Sequence, residues 1–165
     1  MECWKLFFVL IYILILGCSR ETANELFNKG EAATHQVTTY PRAESNLTRF
    51  LRIYPDDPRV DVALQALARV LMNQERNKEA IARYNELIRR FPNSRYATQA
   101  QFMIGYIYDQ AKNYEQARIA YRKVIERYPE SDLVDDSEKS IENLGKPLEA
   151  WIFPESSSVS TTQIP

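Results

Sequence analysis

Residues 97–129 read ATQAQFMIGYIYDQAKNYEQARIAYRKVIERYP, two runs of helical spacing on either side of a short polar turn. In the first run Ala97, Ala100, Ile104 and Ile107 recur at intervals of three and four, which places them on one face of an α-helix. In the second, Ala117, Ile119, Ala120, Tyr121, Val124 and Ile125 form a comparable set after a turn at Ala111 to Asn113. The stretch closes on Tyr128-Pro129. A proline there forces its predecessor out of the α region and removes the next backbone donor, so the second helix must stop. The stretch predicts a helical hairpin with one apolar face on each arm.

The hairpin is not alone. Tyr54-Pro55, Phe91-Pro92 and Tyr128-Pro129 recur every 37 residues, followed two residues after each proline by Asp57, Ser94 and Ser131. The same interval carries Ala43, Ala80 and Ala117, then Leu47, Tyr84 and Tyr121. Self-similarity of this length marks stacked supersecondary units. Asp57, Ser94 and Ser131 are helix N-cap types, and Pro58 suits a first helical position. From Pro58 to Gln74 the apolar set is Val60, Leu64, Leu67, Ala68 and Leu71, and after a turn at Gln74 to Asn77 it is Ala80, Ile81, Tyr84, Leu87 and Ile88. Beyond Ser131 one more amphipathic segment places Leu133, Val134, Ser137, Ile141 and Leu144 inward, as a helix covering the last repeat would, and Gly145 and Pro147 stop it.

The pattern resembles the tetratricopeptide repeat (TPR) family. Gly105, Tyr108, Tyr114, Ala117, Tyr121 and Pro129 stand at the family's small, aromatic, aromatic, alanine, aromatic and proline positions. Ala68, Ala80, Tyr84 and Pro92 match in the preceding unit, and Tyr40, Ala43 and Pro55 in the one before. There Glu31 falls where a small residue belongs, and Gly30 takes its place if the turn is one residue longer. The resemblance implies an all-α solenoid of about three repeats over residues 24–145, closed by the C-terminal helix, in which Ala80, Tyr84, Pro92, Gly105, Ala117, Tyr121 and Pro129 hold the fold. Units this long are similar to those of two periplasmic groups, the TPR lipoprotein of the outer-membrane β-barrel assembly machine and the TPR coordinator of the Tol–Pal system.

A stack of hairpins presents a concave face built from first helices, suited to an extended peptide or a partner helix. The resemblance implies that binding uses first-helix side chains beside the core stripe. These are Gln65, Arg69, Met72 and Asn73 in the second repeat, and Phe102, Tyr106, Asp109 and Gln110 in the third. The competing reading packs Phe102 and Tyr106 on the following helix and leaves Arg69 on a solvated face.

The amino-terminal run LFFVLIYILILGCSR, residues 6–20, sets the expected location. Leu6 to Leu16 is eleven apolar residues, whereas a spanning helix needs roughly 20. Lys5 before it and Gly17 after it fit a secretory signal over residues 1–17. Ile15, Leu16, Gly17 and Cys18 resemble the lipobox of bacterial lipoproteins. That resemblance implies cleavage before Cys18, acylation of its thiol and new amino terminus, a linker over residues 18–23, and attachment to a membrane. Ser19, where an inner-membrane retention aspartate would stand, points to the outer membrane and the periplasm. The alternative is a simple membrane or buried helix ending in Gly-Cys. With Cys3 lost and Cys18 lipidated, no thiol remains for a disulfide or a metal site.

Charge and chemistry narrow the function. A net charge of −1 gives no basic face for nucleic acid, so none is expected as a partner. Charge is nevertheless uneven: Arg69 to Arg127 holds 12 basic and 6 acidic residues, and Glu130 to the end holds 2 and 8. Residues 146–165 are poor in apolar residues apart from Trp151 to Phe153, so a disordered tail is expected, with that aromatic segment either on the solenoid end or serving as a short binding motif. His35 is the one histidine, and the chain has no paired cysteines and no glycine-rich phosphate loop, so neither catalysis nor a cofactor or metal is expected. Asp56-Asp57 and Asp135-Asp136 read as helix-start acids favoured by the helix dipole. The reading is a lipid-anchored, periplasm-facing TPR scaffold that binds envelope proteins, most simply in outer-membrane protein assembly. The alternatives are a Tol–Pal-type constriction coordinator or a structural accessory of a secretion complex.

Overall fold

The computed structural model describes residues 21–146; the expectations for residues 1–17, for Cys18 and for the tail beyond residue 146 lie outside the described residues. Seven α-helices and no strand occur among the described residues: α1 (Ala23–Ala32), α2 (Tyr40–Ile53), α3 (Val60–Asn73), α4 (Asn77–Arg90), α5 (Ala97–Gln110), α6 (Tyr114–Arg127) and α7 (Leu133–Asn143). They fall into two compact units that divide between Asp57 and Pro58. None is long and apolar enough to cross a membrane.

The first unit is the hairpin of α1 and α2. A capping box opens α1: Thr22 accepts from the Glu25 backbone N–H while the Glu25 carboxylate accepts from that of Thr22. Two short 3-10 turns, Ala33–His35 and Val37–Thr39, join the arms. The longer turn moves the small position to Gly30: a Cβ there would lie 2.8 Å from the Leu47 side chain. Glu31 is spared that contact, so the irregular repeat closes as its sequence allowed.

The second unit stacks two hairpins, α3 with α4 and α5 with α6, and closes with α7. All the first-helix positions expected inward are buried, as are Ala80, Tyr84, Leu87, Ile88, Ala117, Ala120, Tyr121 and Val124. Ile119 departs from expectation. It is 37% exposed, because the α6 stripe centres on Ala117, Tyr121 and Val124 and position 119 falls on its far flank. Ile81 and Ile125 are half-buried, and so are Leu133, Val134, Ile141 and Leu144 of the closing segment, where Ser137 alone is fully buried. Among the described residues α7 packs on α6 and α5 only, which leaves its stripe partly open.

Hairpin turns and inter-hairpin joints each repeat one geometry. At the turns, Glu75 and Lys112 sit 37 residues apart with φ of 61° and 57°. The Arg76 N–H donates to the Leu71 carbonyl at 2.9 Å and the Glu75 N–H to that of Met72 at 2.9 Å, which is a Schellman closure. Asn113 and Lys112 make the same pair of bonds to Tyr108 and Asp109. At the joints, Tyr54, Phe91 and Tyr128 leave their helices near φ −130° and ψ 58°, outside the α region that a following proline disfavours. Two of the expected caps bond ahead of the helix N-cap position. Ser94 Oγ accepts from the Tyr96 N–H and Ser131 Oγ from that of Leu133, each at 3.2 Å, but α5 starts only at Ala97 and α3 at Val60 rather than Pro58. A tight turn held by Ala97 N–H donating to the Ser94 carbonyl intervenes before α5.

Candidate binding groove

The groove is built on α3 and α5, the first arms of the two stacked hairpins. Helical spacing puts Gln65, Arg69, Met72 and Asn73 at offsets of four, seven and eight along α3, and Phe102, Tyr106, Asp109 and Gln110 at the same offsets along α5. Met72, Asn73, Tyr106 and Gln110 converge on one open cavity of about 540 Å³, completed by Glu75, Asn77, Ile107 and Ala111. Arg69, Asn73 and Gln110 are exposed, Met72 is half-buried and Tyr106 is 41% exposed. A thioether, a phenol and several amides around a cavity of this size can grip a side chain by dispersion while hydrogen bonding its backbone.

Two of the expected contact residues serve the protein's own packing. Phe102 lies half-buried with its ring 5.2 Å from that of Tyr121, inclined by 53°. Gln65 is 9% exposed, and its Nε2 donates to Gln99 Oε1 at 3.0 Å, which ties α3 to α5. Its own Oε1 is buried without a hydrogen-bond partner among the described residues. Sequence reasoning missed Gln99, Glu75 and Ala111, although the turn positions 75 and 111 follow from the repeat once the cavity is known to sit beside the turns.

The electrostatics follow burial. Tyr84 and Tyr121 fill the hairpin cores, and desolvation pushes each phenol up to about 12. The Arg69 charge opposes the shift at Tyr84, while Asp109 adds to it at Tyr121. Partial desolvation also raises the Asp109 carboxyl above the ordinary aspartate value.

Within the α5–α6 hairpin the small residue packs against an aromatic: a Cβ on Gly105 would stand 2.6 Å from the Tyr121 ring. Residues 66–132 match the family model for the tetratricopeptide repeat. The fold is an all-α TPR solenoid. Sequence relatives carry the TPR comparison further. Over 142 residues the chain is 28% identical to outer membrane protein assembly factor BamD of Neisseria meningitidis serogroup A, covering 64% of this chain and 53% of that protein. It is 27% identical over 140 residues to BamD of Neisseria gonorrhoeae, covering 66% and 52%. With BamD of Caulobacter vibrioides the identity is 28% over 93 residues, covering 52% and 30%. The TPR chain is thus homologous to BamD at low identity and spans about half the length, or less, of these curated relatives.

Proposed function

We propose that this chain is a TPR adaptor lipoprotein of the outer membrane, which faces the periplasm and binds envelope proteins during outer-membrane protein assembly. The observation that carries the reading is homology to assembly factors in a chain whose repeats hold an open cavity between two first helices. The cavity takes one or two side chains of an extended or helical segment of the partner. Tyr106 and Met72 supply apolar grip, Asn73 and Gln110 pair with backbone, and Arg69 meets a carboxylate. Acyl chains on Cys18 confine the groove to the bilayer surface, which raises the effective concentration of membrane partners without any new contact.

The test is a crosslinked capture from membranes of the full-length chain beside Cys18→Ala and Arg69→Glu variants, read by mass spectrometry. The expected result is a lipidated Cys18, β-barrel assembly proteins captured with the native chain, and fewer with either variant at unchanged melting temperature. Capture of division-site proteins instead, or partners indifferent to both variants, overturns the reading.

A further inference from the structure

The opposite, second-helix surface carries a feature that the groove does not use. Arg83 and Arg89 of α4 and Arg127 at the end of α6 line an open cleft of about 750 Å³, with Ile88 and Pro92 among its other walls. One carboxylate serves the cleft: Glu86 accepts from Arg83 at 2.9 Å and from Arg90 at 3.0 Å. Arg89 and Arg127 are exposed and form no ion pair among the described residues. The cleft therefore holds a surplus of guanidinium charge, in the planar form that engages carboxylates through two parallel hydrogen bonds.

The complementary surface lies on the same chain. Along α7, Asp135, Glu138 and Glu142 share one exposed row, on the side of the helix away from buried Ser137, and Asp136 stands beside it. Asp135 to Glu142 rises about 10 Å over seven residues, and α4 from Arg83 to Arg89 about 9 Å over six, at about 1.5 Å each. Sign and length match, with Lys139 the one cation on that side of α7.

We propose that α7 of a second copy of this chain docks in the arginine cleft, its row of Asp135, Glu138 and Glu142 against Arg83, Arg89 and Arg127. Such a contact joins two different patches, so copies associate reciprocally as a pair or head to tail. Exposed ion pairs are individually weak, which makes the association reversible. It is also screened by salt, because the Debye length is about 8 Å at physiological ionic strength. The proposal is independent of the adaptor reading and can fail without it.

Two full-length chains carrying different affinity tags are co-expressed, solubilised, and captured through one tag while the other is quantified, at low and at high salt. The native pair is expected to co-capture at low salt and to fall severalfold at high salt. Arg89→Glu with Arg127→Glu on both copies should lose at least tenfold, and so should Asp135→Arg with Glu138→Arg on both copies. Mixing the two double variants restores opposite charges at both contacts and should restore co-capture, which unfolded chains could not do. Arg89→Gln with Arg127→Gln gives a milder check should either reversal unfold the chain by circular dichroism. Co-capture that ignores salt and the arginine substitutions, or a mixed pair of folded variants that fails to recover, overturns the proposal.

Discussion

Replacing Gly105 by alanine sets two effects of opposite sign against each other. In a helix interior alanine is favoured over glycine by roughly 0.5–1 kcal/mol, so propensity alone predicts a more stable protein. Packing predicts the reverse. The new Cβ would lie 2.6 Å from Tyr121 Cδ1 and Cε1 and 3.0 Å from Cγ, and all three are atoms of a rigid ring. That ring is 1% exposed and has Phe102 against it 5.2 Å away, so it cannot swing aside. Restoring van der Waals contact requires α5 and α6 to separate by about 1 Å, in an interior as dense as an organic crystal. Overpacking of this kind costs roughly 1–3 kcal/mol, so at mid-range the net effect is a loss of about 1 kcal/mol. Urea unfolding followed by far-ultraviolet circular dichroism should show a lower midpoint with an unchanged slope. Gly30→Ala is a second instance: Leu47 Cδ2 and Cγ at 2.8 Å and the Leu47 backbone N at 3.2 Å stand against the new Cβ, and Leu47 is fully buried, so it too should lose stability. A midpoint for Gly105→Ala equal to or above that of the native protein would refute the argument that close approach of α5 and α6 requires glycine.

Tyr84→Ala and Tyr121→Ala each empty a core site that is 1% exposed, and each should cost roughly 3–5 kcal/mol by the same unfolding assay. Lys112→Gly relieves a left-handed residue at the Schellman position, and should gain roughly 0.5–1 kcal/mol after the entropy of the added glycine is deducted. Because the folded protein raises the Asp109 pKa, ionised Asp109 opposes folding, and its contribution favours the folded state only at acidic pH and fades as pH rises through the unfolded and then the folded value. Asp109→Asn should therefore melt above the native protein at pH 7, with the gap narrowing towards pH 3; a gap independent of pH would remove desolvation as its cause.

The period carried most of the fold. Proline every 37 residues fixed where second helices end, and the apolar spacing fixed which faces turn inward, because both act through local backbone geometry. What depended on neighbours was less legible. Ile119 fits a helical stripe in sequence, yet among the described residues no element covers that flank of α6, and the α7 stripe is half-open. The cap residues were recognisable, but not the tight turns that delay the helices behind them. The Thr22 and Glu25 capping box was written in the sequence and passed over. Of the eight groove positions, helical offset placed all on one side of α3 and α5, but it could not separate Met72, Asn73, Tyr106 and Gln110, which share a cavity, from Phe102 and Gln65, which bind the protein to itself.

The near-identical joints at Tyr54, Phe91 and Tyr128 make the hairpin an interchangeable part. Each hands the chain on at the same backbone angles, and α2 through α6 each run for 14 residues, so whatever follows one joint meets the same entry conditions as whatever follows another. A gene that gains or loses one 37-residue module by unequal recombination therefore keeps the backbone geometry of its joints, while side-chain contacts that cross a joint, such as Gln65 with Gln99, have to be re-formed.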